Sequence, residues 1–229
     1  MGKRLVTVLC FFSVVAVCLA LGACAVFNQP RFGKLPQGNR LDRIQNSSNY
    51  KDIDCLLISR DHWDHLDYPT ITSLEATVKQ VIGPLGIGAY LEFWGYPKKK
   101  ICEGDWYDWI TLGENVVVHV LPARHYSGRL FKENKTLRAG FALETPDRKI
   151  FYSGDSGYGP HFTEIGDAFH GFDLVLLDCG QYDARWAYIH MTPEGADQAA
   201  LDLGARACCP PMWVGSPSPT LLGMSPLNA

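Results

Sequence analysis

The sequence predicts a layered α/β protein, on two observations. Short apolar runs alternate with stretches of helical spacing, which is the pattern of strands and helices packed in layers. The residues able to do chemistry fall just after those runs: His62, Asp64 and His65 after DCLLIS, His125 after NVVVHVLP, Asp155 after KIFYSG and Asp178 after FDLVLL. Strand ends on one edge of a sheet can converge on a single cleft.

The elements follow in order. DCLLIS is a continuous apolar run, expected as a buried strand, and it leads straight into the polar cluster from Arg60 to His65. PTITSLEATV reads as a helix with Pro69 near its start, where a missing N–H does no harm. QVIGPLG, NVVVHVLP, TLRAGFALET and KIFYSG read as strands, then PHFTEIGDAF as a short helix and FDLVLL as a strand. HMTPEGADQAALDLGA is the clearest helix: Thr192 as N-cap, Pro193 at the first position and Gly204 at the end. Residues 25–50 are polar with Gly, Pro and Asn, and read as an extended lead-in.

Of 229 residues, 47% are hydrophobic and 20% charged, enough for one sizeable core. The net charge is -3 with no basic block, which argues against a nucleic-acid partner. Residues 1–24 carry Lys3 and Arg4, then an apolar run, then small residues, and read as a secretory signal outside the fold. Leu21-Gly22-Ala23-Cys24 is similar to a bacterial lipoprotein box, which makes Cys24 a lipidation site and places the domain in the cell envelope, membrane-anchored and facing the periplasm. The apolar run is short for a full membrane span of about 20 residues. The thiols beyond Cys24 form no CxxC spacing and no disulfide framework; Cys55 and Cys179 flank apolar runs and are expected to be buried.

The stretch SRDHWDHLDYPTI puts two histidines and an aspartate within four positions. Imidazole nitrogen and carboxylate oxygen are zinc donors, and a tight turn carrying His-x-Asp-His offers three of them. A solvated polar loop is the competing reading, weakened by His125 and Asp155 at two further strand ends. His190 flanks the last helix and is either a site residue or a simple cap. His119, His161 and His170 are expected to be structural or exposed, and Trp63, Tyr68, Trp106 and Trp186 to be core or cleft wall.

CLLISRDHWDHLDYPTI, LPARHYSGR, KIFYSGDSGYGPHFTEIG and LDCGQYDARWAYIHMTPE resemble the metallo-β-lactamase-fold hydrolases, in particular the branch of N-acyl-phosphatidylethanolamine phospholipase D and UlaG. The resemblance runs from Asp52 to Ala207. It implies an αββα sandwich and a metal-dependent hydrolase of ester or phosphodiester bonds, acting on a small-molecule or lipid substrate. It implies two adjacent zinc ions, which polarise a phosphoryl or carbonyl oxygen and supply hydroxide. One would be held at the Arg60 position with His62 and His125, the other by Asp64, His65 and a final histidine, with Asp155 bridging and His190 assisting catalysis.

Three departures set the chain apart from that pattern. Arg60 stands where the family has its first histidine, and a guanidinium has no lone pair for a metal. Tyr50-Lys51-Asp52 joins the lead-in directly to the domain of residues 51–207, where the family has further strands; this reads as an internal deletion that leaves the first sheet short. From Cys208 to Ala229 the periodicity vanishes and Met212 stands near the place of the last metal-binding histidine. Met212-Trp213 fixes its six bases, and reading one base earlier can spell His-Val-Gly there, so the tail reads as frameshifted. On this reading a C-terminal strand and helix are missing and at most one weakly held zinc is expected. The alternatives are an impaired hydrolase, a non-catalytic envelope lipoprotein, or an unstable remnant of a broken gene.

Overall fold

The computed structural model describes residues 6–10, 15–20, 23–26, 53–129, 132–179 and 184–209. Two six-stranded sheets lie at its centre. The first runs β3-β2-β1-β4-β5-β6, with β1 Val6–Cys10, β2 Val15–Ala20, β3 Ala23–Val26, β4 Ile53–Leu57, β5 Val78–Pro84 and β6 Ile101–Gly104. In it β1, β4, β5 and β6 pair in parallel, and β1, β2 and β3 antiparallel. The second runs β14-β13-β12-β11-β8-β7, with β7 Trp109–Leu112, β8 Val116–Pro122, β11 Ala139–Glu144, β12 Lys149–Tyr152, β13 Leu174–Leu176 and β14 Cys208–Cys209. A two-stranded ribbon, β9 Gly128–Arg129 and β10 Lys132–Glu133, stands beside them.

Period-2 alternation sorts each strand's side chains into layers. Cys55 and Leu57 of β4 pack with Val118, Val120, Phe141, Leu143 and Ile150 in the core between the sheets. Leu56 and Val81 face the other way, onto α1 Tyr68–Leu74 and α2 Ile87–Phe93, through Ile71, Leu74, Ile87 and Leu91. Leu121, Ala142, Phe151 and Val175 take α3 His161–Phe169 and α4 Pro193–Asp202, through Phe162, Ile165, Ala196 and Ala199. Helix, sheet, sheet, helix is the αββα order.

The helix starts follow the sequence. Asp67 caps α1 by accepting from the Thr70 N–H, with proline in the first turn. Thr192 caps α4 by accepting from Gly195, and Gly204 follows its end at φ +60°. The sequence reading had not placed α2, β6 or β7.

Two stretches that the sequence reading set apart carry strands here. Residues 1–24 were set apart from the fold, and the first sheet was expected to lack strands on that side. Backbone pairing instead brings Val8, Leu9 and Cys10 against Cys55, Leu56 and Leu57, with β2 and β3 beyond. The physical reason is the free edge of β4, whose N–H and C=O groups need partners and find a β-branched apolar run. The tail was expected to break the pattern from Cys208, yet Cys208 and Cys209 pair in parallel with Val175 and Leu176. Met212 and the rest of the tail lie outside the described residues. Cys24 lies within β3, and its side chain lies outside what is described.

Candidate metal centre

The site gathers on the loops that leave four strands. Arg60 stands three residues after the end of β4, His125 three after β8 and Asp155 three after β12, while Asp178 stands two after β13. β8 and β12 both pair antiparallel with β11, and β13 runs parallel to β12, so these three strands deliver their ends on one side.

Asp155 is the hub, with 4% of its surface exposed. Its Oδ2 forms a close ion pair with Arg60 Nη2, which is equally buried. His65 Nε2 lies 3.3 Å from the same oxygen and His190 Nδ1 3.9 Å. Burial would raise the Asp155 carboxyl, but hydrogen bonding from His65 and the charge of Arg60 outweigh it and hold the acid well below the carboxylate range. His65 is buried and held from behind by Ser59 Oγ at 2.9 Å from Nδ1.

His62 and His125 face each other edge to face at 5.1 Å between ring centroids, and Tyr126 stacks on His125. Burial, helped by the Arg60 charge, lowers His62 from 6.5 to about 4 and His125 to about 3. Both rings are therefore neutral at physiological pH, the form that binds metal. His62 Nε2 is buried without a hydrogen-bond partner among the described residues.

His190 completes the cluster. Its Nδ1–H donates to Asp178 Oδ2 at 2.7 Å, and its Nε2 lies 3.5 Å from His125 Nε2. Burial works against the imidazolium, but the Asp178 hydrogen bond and charge, with Asp155 behind them, raise His190 above 6.5.

Among the described residues, His125, Asp155 and His190 each bring one donor atom within 4.8 Å of the others. Two imidazoles and a carboxylate are donors that divalent zinc accepts, with a position left for water. These residues fit one ion. The other predicted ligands fit less well: Asp64 is 60% exposed, with Oδ2 3.9 Å from His65 Nε2 and Oδ1 4.0 Å from Arg60. Arg60 occupies the remaining corner as a permanent cation, so the described residues do not fit a pair of ions.

Other positions come out as follows. His119 pairs with Glu144 at 3.3 Å, and His161 Nε2 lies 3.2 Å from Ser156 Oγ, both away from the cluster. His170 closes α3 in the left-handed region. Cys55 and Cys179 are buried, as expected. Trp63, Tyr68, Trp106 and Trp186 are exposed rather than core. Arg129 holds both the backbone of this loop and the face of the exposed Trp63 ring. Arg129 Nη1 donates to the Asp61 and Leu66 carbonyls at 2.9 and 2.6 Å, and its guanidinium lies 4.0 Å from the centre of the Trp63 ring. Asp61 in turn accepts from Gly128 N–H at 3.0 Å. The supporting roles of Ser59, Asp61 and Arg129 were missed from sequence; Asp178 was noticed only as a strand-end carboxylate.

Comparison with known proteins agrees with this architecture. A family profile described as a Beta-lactamase superfamily domain matches residues 29–211. An uncharacterised protein of Mycobacterium tuberculosis is 43% identical over 166 residues, covering 70% of this chain and 44% of the relative. The outer membrane protein RomA of Klebsiella pneumoniae is 56% identical over 101 residues, 44% of this chain and 76% of the relative. The N-acyl-phosphatidylethanolamine-hydrolyzing phospholipase D 1 of Caenorhabditis elegans is 29% identical, over 68% of this chain and 47% of its own length. The chain thus spans less than half the length of several curated relatives it matches. Among solved structures, the metallo hydrolase Igni18 of Ignicoccus hospitalis superposes with a TM-score of 0.63 at 17% identity, covering 89% of this chain and 80% of that one, a likeness of fold. With the profile spanning most of the sequence and the αββα layers in place, the chain belongs to the beta-lactamase superfamily and has the metallo-β-lactamase fold.

Proposed function

We propose that the chain is a metal-dependent hydrolase of ester or phosphodiester bonds that works with a single ion. The observation that carries this is the convergence within 4.8 Å of donor atoms from His125 and Asp155, which follow two strands, and His190, which precedes α4. His125 and Asp155 would hold the ion together with His190, or with His62 if the His125 ring turns between them. Zinc suits this nitrogen and oxygen set, and when bound it supplies Lewis acidity and a water of lowered pKa. The protein's own part is positional. Asp178 fixes the His190 tautomer, Ser59 orients His65, and Arg60 keeps Asp155 ionised.

The motifs favour the branch of N-acyl-phosphatidylethanolamine phospholipase D, and relatives carry that name in nematode and yeast. A phosphodiester, lipid-linked where the chain is anchored, is therefore the substrate class. An envelope location is supported by RomA, named an outer membrane protein, and by the lipoprotein-like box at Cys24. Among the described residues no helix is long and apolar enough to cross a membrane. Within this reading the junction at Tyr50-Lys51-Asp52 is an internal deletion, and the tail around Met212 is out of frame, so activity is impaired relative to complete members.

A non-catalytic reading is favoured by one observation: the Arg60 ion pair engages Asp155, one of the three donors the ion would need. Elemental analysis after zinc dialysis, with hydrolysis of bis-p-nitrophenyl phosphate in added zinc or manganese, decides between them. The expected result is up to one equivalent of metal and hydrolysis abolished by chelator. Absence of both metal binding and hydrolysis would leave the non-catalytic reading.

A further inference from the structure

Arg60 is 3% exposed and lies on the loop after β4. Only Nη2 meets a carboxylate closely, that of Asp155; Asp64 is 4.0 Å away. Nε and Nη1 are buried with no hydrogen-bond partner among the described residues. A guanidinium carries five N–H donors, and burying some of them unpaired is unfavourable unless another acceptor arrives. The nearby carboxylate oxygen Asp155 Oδ2 is already approached by Arg60 Nη2, His65 and His190, and Asp178 Oδ2 accepts from His190. Asp64 and Trp63 on the same loop, and Tyr126 beside His125, are exposed.

We infer that Arg60 is an anion-receiving residue, standing as a fixed cation beside a single bound metal and donating Nη1–H or Nε–H to a phosphoryl oxygen of the substrate. This rests on the one-metal hydrolase reading and adds a residue to it. Guanidinium is the side chain best suited to phosphate, being planar, always charged and weakly hydrated. A second metal would meet the charges of both the first ion and Arg60 at short range, which favours a single ion. The metal is required as well: Asp64, Asp155 and Asp178 outnumber Arg60, so without an ion the site repels anions.

The experiment uses the full chain loaded with zinc and titrated with inorganic phosphate by calorimetry, wild type against Arg60→Gln and Arg60→Lys. Zinc content is measured on each sample. The expected result is one zinc per wild-type chain, phosphate bound at least about ten-fold more weakly by Arg60→Gln at equal zinc content, and an intermediate loss for Arg60→Lys. Because Arg60→Gln leaves Asp155 without its partner and can fail to fold, nitrogen-15 NMR of the zinc-loaded wild type supplies a second readout. Phosphate should move a guanidinium Nε–H resonance that is absent from Arg60→Lys. Equal phosphate affinity in Arg60→Gln, an unmoved resonance, or two zinc ions per wild-type chain would overturn the inference. Metal-dependent hydrolysis that persists alongside equal phosphate affinity would remove Arg60's role alone, whereas no zinc uptake would remove the one-metal reading with it.

Discussion

His190 donates Nδ1–H to Asp178 at 2.7 Å, and that bond decides which ring nitrogen the site can use. Nδ1 is committed to the carboxylate, so Nε2 is the atom turned toward His125 at 3.5 Å. A carboxylate behind a ligating imidazole raises its basicity and locks its rotation. Asp178→Asn should therefore weaken zinc binding by about 10–100-fold and lower the His190 pKa. Chelator competition measures the first and imidazole proton NMR the second. Unchanged zinc affinity would show that His190 stands outside the metal's shell.

Acid should destabilise the metal-free protein in two stages. Below 6.5 the unfolded chain takes up protons on His62 and His125 that the folded chain refuses until about 4 and about 3, so stability falls as pH falls through that window. Further down, the depressed Asp155 carboxyl adds its own loss, below the unfolded value of 3.8. Urea midpoints at about pH 7 and about pH 5 test the first stage. His190, raised above 6.5, works the other way, so the comparison with His62→Gln carries the test: a pH dependence equal to wild type would contradict a buried neutral His62.

Arg129 ties the loop that follows β4 to the β9 ribbon through the Asp61 and Leu66 carbonyls. Arg129→Ala removes two charge-assisted hydrogen bonds to buried oxygens and should lower stability by about 3 kcal/mol. Zinc affinity should fall with it, because the loop so released carries Arg60 and His65, which contact the proposed ligand Asp155. Thermal melts with and without zinc read both effects.

Gly166 sits where α3 meets the end of α4. A Cβ built there would lie 2.1 Å from the Asp202 carbonyl oxygen, which is backbone and cannot swing aside. Gly166→Ala should cost about 1–3 kcal/mol by forcing the helices apart. A melting temperature equal to wild type would mean that the pair repacks freely.

Legibility of the sequence varied with the range of the forces involved. β4, β8, β11 and β12 announce themselves by apolar runs, and α4 by Thr192, Pro193 and Gly204, because capping and patterning are local. α2 was silent: its IGAYLEF stretch starts after Gly86 at φ +98° with no side-chain cap. The N-terminal strands were hidden for another reason, since an apolar run suits a signal, a membrane or a sheet edge equally. In the site, His62, His65, His125 and Asp155 were visible as a pattern, and the Arg60–Asp155 pair was not, because it joins residues 95 positions apart through tertiary contact alone.

The equal three-residue offset of Arg60, His125 and Asp155 from their strands makes the donor cluster a gauge of sheet assembly. A slip of β12 by two residues would keep Phe151-type and Tyr152-type positions on their proper faces and leave the core apolar. It would nevertheless carry Asp155 about 6.6 Å along the strand, further than the spread of the whole cluster. Such a misassembled chain would keep its circular dichroism and its compactness while losing its hold on metal. On the proposed one-metal reading, metal retention would distinguish correctly registered molecules from near-native impostors in any preparation of this protein.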